Sequence, residues 1–187
     1  MVSITGLAHE VVRSVLKSGD RAIDGTAGNG HDTLFLAQLV GSFGQVWAMD
    51  LQPAALASTS RRLQQHGCFQ VQLRLGNHAQ LHECLPEEMI GTFGAAMFNL
   101  GYLPHQDHRL TTLAATTLPA LSAAWTALRP CGILSVVTYR GHPGGEEEAL
   151  AVEEWMQNTG EKISGPFRYP DLPPIRGPQL LAIKRAD

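Results

Sequence analysis

Three side chains able to bind and aim a ligand stand at the ends of short apolar runs: Asp24 after Ala22-Ile23, Asp50 after Val46-Trp47-Ala48-Met49, and Asn99 after Ala95-Ala96-Met97-Phe98. Asp24 opens the stretch Asp24-Gly25-Thr26-Ala27-Gly28-Asn29-Gly30-His31-Asp32. Its glycines permit positive φ and let a ligand approach the main chain, and the helix that follows presents free N–H groups. The order G-x-x-G-x-G is not the dinucleotide fingerprint, and no G-K-[ST] ending marks a nucleoside triphosphate site. A carboxylate at the strand tip repels a pyrophosphate but suits a ligand carrying an ammonium group, such as S-adenosylmethionine. Asp24 and Asp32 are candidates to accept from that ammonium, and Asn29 and the N–H groups about Gly28 and Gly30 to hold the carboxylate. Asp50, roughly 20 residues beyond the glycine turn, is placed to accept ribose hydroxyls with Gln52 nearby. A plainer use for Asp50 is to cap the helix opening at Pro53. After the third apolar run, Gln70–Leu75, Asn77 can pair its amide with an adenine edge, and His78 can stack or cap the next helix.

The run Asn99-Leu100-Gly101-Tyr102-Leu103-Pro104 is similar to the Asn/Asp-Pro-Pro-aromatic sequence of amino-methylating enzymes, with Leu100-Gly101 in place of Pro-Pro. Such an Asn accepts hydrogen bonds from the target amine and aims its lone pair at the methyl group, while the aromatic residue stacks on the base. The plainer alternative is an Asn tying down a loop and a Tyr in the core. Methyl transfer from a sulfonium to an amine needs alignment and an unprotonated nitrogen. Tyr139, His142 and His105 are the candidates to relay the proton, and the sequence does not rank them. Arg140 is a candidate phosphate contact, and Leu100, Gly101 and His105 are placed to line the substrate side. His78 and His82 could form an i,i+4 metal pair, but no third ligand of matching spacing appears, so no metal is expected.

The elements that must position these groups alternate. Helix is expected over Leu7–Leu16, from about His31, over Ala54–His66, around His78–Leu85, from about Asp107 to Leu128 with Pro119 kinking or starting it, and from Glu146 to about Asn158. Strands are expected at Ala22–Asp24, Gln45–Asp50, Gln70–Leu75, Phe93–Phe98, Ile133–Tyr139, Ile163–Tyr169 and Gln179–Lys184, with Leu128–Gly132 a turn and the last two strands an antiparallel pair. This alternation predicts a mainly parallel seven-stranded sheet with helices on both faces. Ligands bind such sheets at the carboxyl ends of strands where the order reverses. The 187 residues read as one domain. A net charge of −3 requires any nucleic-acid contact to use a local basic patch. Three widely spaced cysteines without C-x-x-C fit a reducing cytoplasm. With no long apolar run and no signal-like N-terminus, the expectation is a soluble cytoplasmic protein with no membrane partner.

Asp24–Thr33, Asp50-Leu51-Gln52, Asn99–Pro104 and Tyr139-Arg140-Gly141-His142-Pro143-Gly144-Gly145-Glu146 together resemble the bacterial putative rRNA methylase family, over about Ala22 to Lys184. Members of that family act as tRNA 5-aminomethyl-2-thiouridine methyltransferases. The resemblance implies a Rossmann-like class I methyltransferase fold, S-adenosylmethionine as cofactor, and N-methylation of the aminomethyl group on the wobble uridine. The tRNA anticodon region is then the expected partner, with a homodimer as one option for assembly. His105, in place of the family's Gly, and Pro170-Asp171, where relatives are Asn-rich, depart from the pattern where substrate would touch. Ribosomal RNA or a small-molecule amine stay open as alternative substrates.

Overall fold

Apolar runs too short for stable helices become strands here, and the longer periodic segments between them become helices. The computed structural model describes residues 3–101, 111–159, 161–162, 167–168 and 177–187. In chain order the elements are α1 (Ile4–Arg13), β1 (Arg21–Asp24), α2 (His31–Val40), β2 (Gln45–Asp50), α3 (Pro53–Gln65), β3 (Val71–Leu75), a 3-10 turn (His78–Gln80) leading into the short α4 (Leu81–Cys84), a second 3-10 turn (Glu87–Met89), β4 (Phe93–Asn99), α5 (Ala114–Ala127), β5 (Leu128–Thr138), α6 (Gly145–Thr159), β6 (Glu161–Lys162), β7 (Phe167–Arg168) and β8 (Gln179–Lys184).

The strand order is β3-β2-β1-β4-β5-β8-β6, with β7 also on β8. β1 to β5 pair in parallel, and β8 runs antiparallel to β5 along its whole length. Because β5 occupies one edge of β8, both short segments must share the other, β6 beside Ile183–Lys184 and β7 beside Gln179–Leu180. They fill one lane in two pieces, so among the described residues the sheet is seven lanes wide and mainly parallel, as expected. Alternate strand residues face opposite layers. Ala22, Val46, Ala95 and Met97 pack with Val12, Leu36 and Leu63 of α1, α2 and α3. Ile23, Trp47, Ala96 and Phe98 pack with Leu121 of α5 and Val152 of α6. Among the described residues no helix is long and apolar enough to cross a membrane.

Several boundaries differ from expectation. α1 begins at Ile4 because the Ser3 hydroxyl oxygen accepts from the Gly6 N–H and caps the helix ahead of the glycine. It ends at Arg13, before Leu16. α5 begins at Ala114, and Pro119 lies inside it without starting it; the expected first turn, 107–110, lies outside the described residues. The expected turn Leu128–Gly132 is drawn into β5, where the register shifts by three residues against Phe93–Ala95 and Cys131 is left-handed (φ 59°), an irregular bulge. Of the expected strand Ile163–Tyr169, the described part is β7, preceded by β6.

Order reverses between β1 and β4, which are direct neighbours although β2 and β3 intervene in sequence. Their carboxyl ends carry Asp24 and Asn99, and β2, on the other side of β1, ends in Asp50.

Candidate functional site

The loop between β1 and α2 is shaped by its glycines. Gly28 (φ 52°) and Gly30 (φ 79°) are left-handed, and Gly30 caps α2. A Cβ on Gly25 would stand 2.0 Å from the Phe98 ring, so the loop can lie against β4 only with glycine there. Polar groups of three strand-tip residues hold it. Asp24, 1% exposed, accepts from the Thr26 N–H at 3.1 Å and the Thr33 hydroxyl at 2.6 Å. Asp50 accepts from the Gly28 N–H and the Gln52 N–H, both at 2.8 Å. The Asn99 N–H donates to Thr26 Oγ1 at 2.7 Å, which ties the glycine loop to the end of β4.

Above these strand tips opens a cavity of about 1070 Å³, lined by Gly28, Asn29, Asp32, Asp50, Gln52, Asn77, His78, Asn99, Leu100, Gly101, Tyr139, Arg140 and His142 among the residues expected from sequence. Asp24 and Gly30 lie beneath the wall instead of in it. Burial, then the neighbouring Asp32, push the Asp24 carboxyl up to about 7, against the hydrogen bonds from Thr33 and Thr26. Asp24 thus serves as a loop brace under the ligand space, whereas Asp32 faces that space directly. Tyr102 and His105 lie outside the described residues.

The opposite wall comes from the loops after β4 and β5. Gly101 sits between Tyr139 and His142, whose rings are 3.7–3.9 Å from where its Cβ would be. Burial and the Asp32 charge hold the Tyr139 phenol above its ordinary value. His142 is buried beside Thr111 Oγ1 at 3.0 Å. Arg140 is oriented otherwise than a phosphate contact needs: its guanidinium pairs with Glu146 at 2.6 Å and with Glu153, and its side chain is only 9% exposed. His78 lies edge-on to Phe98 and is pushed down to about 4 by burial, so its imidazole is neutral at physiological pH. Asn77 spends its Oδ1 on the Ala79 N–H and keeps its amide N–H groups for the cavity.

Sequence reasoning missed the contributions of Thr5 and His9 from α1, of His31, and of Thr111 and Thr112. Thr5 and His9 are one turn apart on a helix whose other side is plainly apolar, and that polar i,i+4 pair was the available signal. Nothing local to Thr111-Thr112 marked them, because their role depends on a buried partner. Glu148 of α6, 1% exposed, accepts from the hydroxyls of Thr112 at 2.7 Å and Thr117 at 2.6 Å, and Thr112 Oγ1 accepts from the Gly101 N–H at 2.8 Å.

A carboxylate on β2, a glycine loop after β1 and an Asn on β4 meet around one cavity. Comparison with known proteins identifies the family. The model of the family described as "Putative rRNA methylase" matches residues 46–181. The chain belongs to this family. A putative rRNA methylase from Clostridium thermocellum has a crystal structure 34% identical in sequence, with a TM-score of 0.89 and 98% of each chain covered. A putative methyltransferase from Streptococcus mutans, solved in complex with SAH, is 31% identical with a TM-score of 0.84 over 98% of each chain. The fold is therefore that of the class I methyltransferases. Among curated relatives, a chloroplastic tRNA (mnm(5)s(2)U34)-methyltransferase from Arabidopsis thaliana is 43% identical over 158 residues, 80% of this chain. The chain spans 57% of the length of that relative.

Proposed function

We propose that this member of the rRNA methylase family is an S-adenosylmethionine-dependent N-methyltransferase. Its substrate in this reading is the aminomethyl group of 5-aminomethyl-2-thiouridine at the tRNA wobble position, and its product the methylaminomethyl form. The observation that carries the reading is Asn99 Oδ1. It is a buried acceptor without a hydrogen-bond partner among the described residues, on a residue that lines the ligand cavity. An uncompensated buried carbonyl costs stability, and it suits a site that receives an N–H donor when substrate arrives. The relative named for tRNA methylation supports the substrate class.

The residues present fit the cofactor. The glycine loop leaves the main chain open to a ligand, and Asp50 keeps lone pairs on both oxygens beyond its two N–H donors, so it would hold the ribose hydroxyls. Asn77 and the neutral His78 would meet the adenine, and the loop about Asn29 the methionyl carboxylate. When bound, the sulfonium supplies an activated methyl group. Asn99 Oδ1 then accepts one amine N–H and turns the nitrogen lone pair across the cavity. Being neutral, the amide favours the free amine over the ammonium in a way that a carboxylate would not. Tyr139, kept protonated by burial and by Asp32, acts as a hydrogen-bonding wall and not as a base. With Arg140 engaged by Glu146 and Glu153, contact with the anticodon backbone falls to other cations, and among the described residues Arg62, which reaches the Asn29 carbonyl and His31 of the cavity wall, is a candidate.

Liquid chromatography and mass spectrometry of tRNA nucleosides from a deletion strain test the reading. Loss of the methylaminomethyl nucleoside with gain of its aminomethyl precursor is the expected result; an unchanged profile rejects it. Labelled methyl appearing in ribosomal RNA instead would favour the family's older description. The cytoplasmic location and the homodimer belong to the same reading, checked by fractionation and by sedimentation.

A further inference from the structure

Asn99 is held by more than its own loop. Its Nδ2 donates to Asp32 Oδ2, and Asp32 Oδ1 is 2.6 Å from His9 Nε2. Asp32 is 6% exposed and sits in the first turn of α2. His9 comes from α1, upstream of every nucleotide-site motif in the chain, and its ring stacks on Phe35 with centroids 3.8 Å apart and planes 3° from parallel. That stack leaves the imidazole little freedom to turn away from the carboxylate. Facing a carboxylate, Nε2 must carry a proton and donate. Asp32 can accept but not donate, so the Asn99 amide must present its nitrogen to Asp32, and Oδ1 is left as the atom without a partner. The Oδ1 direction is thus fixed by a chain of two hydrogen bonds starting at His9.

We infer that His9 is a positioning residue for methyl transfer: acting through Asp32, it fixes the orientation of the Asn99 amide so that Oδ1 points to the incoming amine. The inference rests on the amine-methylating reading above and names the residue that sets the geometry of that site. Without the His9 donor, Asp32 is a buried carboxylate short of one partner, free to rotate and carry the Asn99 amide with it. The lone pair of the substrate nitrogen then loses its aim, which acts on turnover and not on the grip for the cofactor.

The test compares wild type, His9→Leu, His9→Gln, Asn99→Ala and the double variant. Methyl transfer is measured to tRNA carrying 5-aminomethyl-2-thiouridine, and calorimetry with S-adenosylhomocysteine reads cofactor affinity. His9→Leu should lower kcat about tenfold and leave both cofactor Kd and the KM for tRNA within about twofold. Gln, whose amide N–H can replace Nε2–H, should restore most of the loss. In the Asn99→Ala background His9→Leu should cost nothing further, because the atom it positions is gone. Retained kcat in His9→Leu, an equal loss in both backgrounds, or a cofactor Kd weakened tenfold with kcat intact would each overturn the inference. A readout independent of substrate is the ¹⁵N NMR signal of the Asn99 side-chain amide, identified by its absence in Asn99→Ala. It should shift in His9→Leu and return in His9→Gln, and an unmoved signal overturns the inference even if wild type proves inactive on this tRNA. Wild-type inactivity with the expected NMR shifts would instead reject the substrate reading alone.

Discussion

At Asn99 the side-chain nitrogen is engaged by Asp32 and the backbone N–H by Thr26 Oγ1, so in the proposed reaction Oδ1 is the side-chain atom left for substrate. Asn99→Ala should therefore depress turnover by about 10- to 100-fold, the order seen when one aligned polar group is lost from a transition state. Cofactor affinity should stay within about twofold of wild type, and single-turnover kinetics beside calorimetry separates the two. The opposite pattern would assign Asn99 to the cofactor. Asp50 lies on the other side of that division. Its oxygens hold the Gly28 and Gln52 N–H groups and face the cavity, so Asp50→Ala removes charge-assisted hydrogen bonds from both loop and ligand. Calorimetric affinity for S-adenosylhomocysteine should fall by about 1–3 kcal/mol. Unaltered affinity would mean that the ribose is held elsewhere.

Among the elements, α6 acts on the site through one buried carboxylate. Glu148 bonds Thr112 and Thr117, Thr112 takes the Gly101 N–H, and Thr117 Oγ1 lies 3.4 Å from His78 Nε2. Glu148→Ala strands two hydroxyls and should cost about 1–3 kcal/mol in urea denaturation, with turnover reduced because both the Gly101 turn and His78 lose their brace. A stability loss without any change in turnover would separate this network from the site. The contrast between Asn99 and Glu148 shows what a sequence can reveal. β1, β2 and β4 are short apolar runs ending in a polar residue, so the strands and their polar tips were legible from the α/β alternation, whereas the order that makes β1 and β4 neighbours comes from the structure. Glu148 lies in the acidic run Glu146-Glu147-Glu148, where nothing local separates a buried carboxylate from two surface ones. Asp24 was legible as a strand-tip acid but not as a buried brace, because its burial depends on Thr33 closing over it. Arg140 likewise looked free until α6 supplied Glu146 and Glu153. The polar pair Thr5 and His9 marked a face of α1, but not what His9 meets there, because its partner Asp32 is 23 residues away.

For the molecule as a whole, buried Asp24 and partly buried His78 titrate in opposite senses between pH 4 and 7, and His31, held below its ordinary value by burial and Arg62, adds to the sense of His78. Asp24 has an ordinary value of 3.8 and is pushed up to about 7 in the folded chain, so in that interval the native state holds a proton that the unfolded chain releases. Its contribution is complete below 3.8 and is lost as pH rises through about 7. His78 falls from 6.5 to about 4 on folding, so there the unfolded chain holds the extra proton; its contribution is complete above 6.5 and is lost as pH falls through about 4. The two slopes oppose each other over most of the interval and flatten the wild-type profile. Replacing either group should expose the other. In thermal melts at constant ionic strength, Asp24→Asn should lose Tm on acidification from pH 6.5 towards 4 more steeply than wild type. His78→Gln should instead lose Tm as pH rises from 4 towards 7. Other surface carboxylates titrate in all three proteins, so the difference between each variant and wild type isolates the buried group. Parallel profiles for wild type and Asp24→Asn would mean that Asp24 is charged in the native state; the glycine loop would then rest on an ionised carboxylate, with three acidic groups under the ligand.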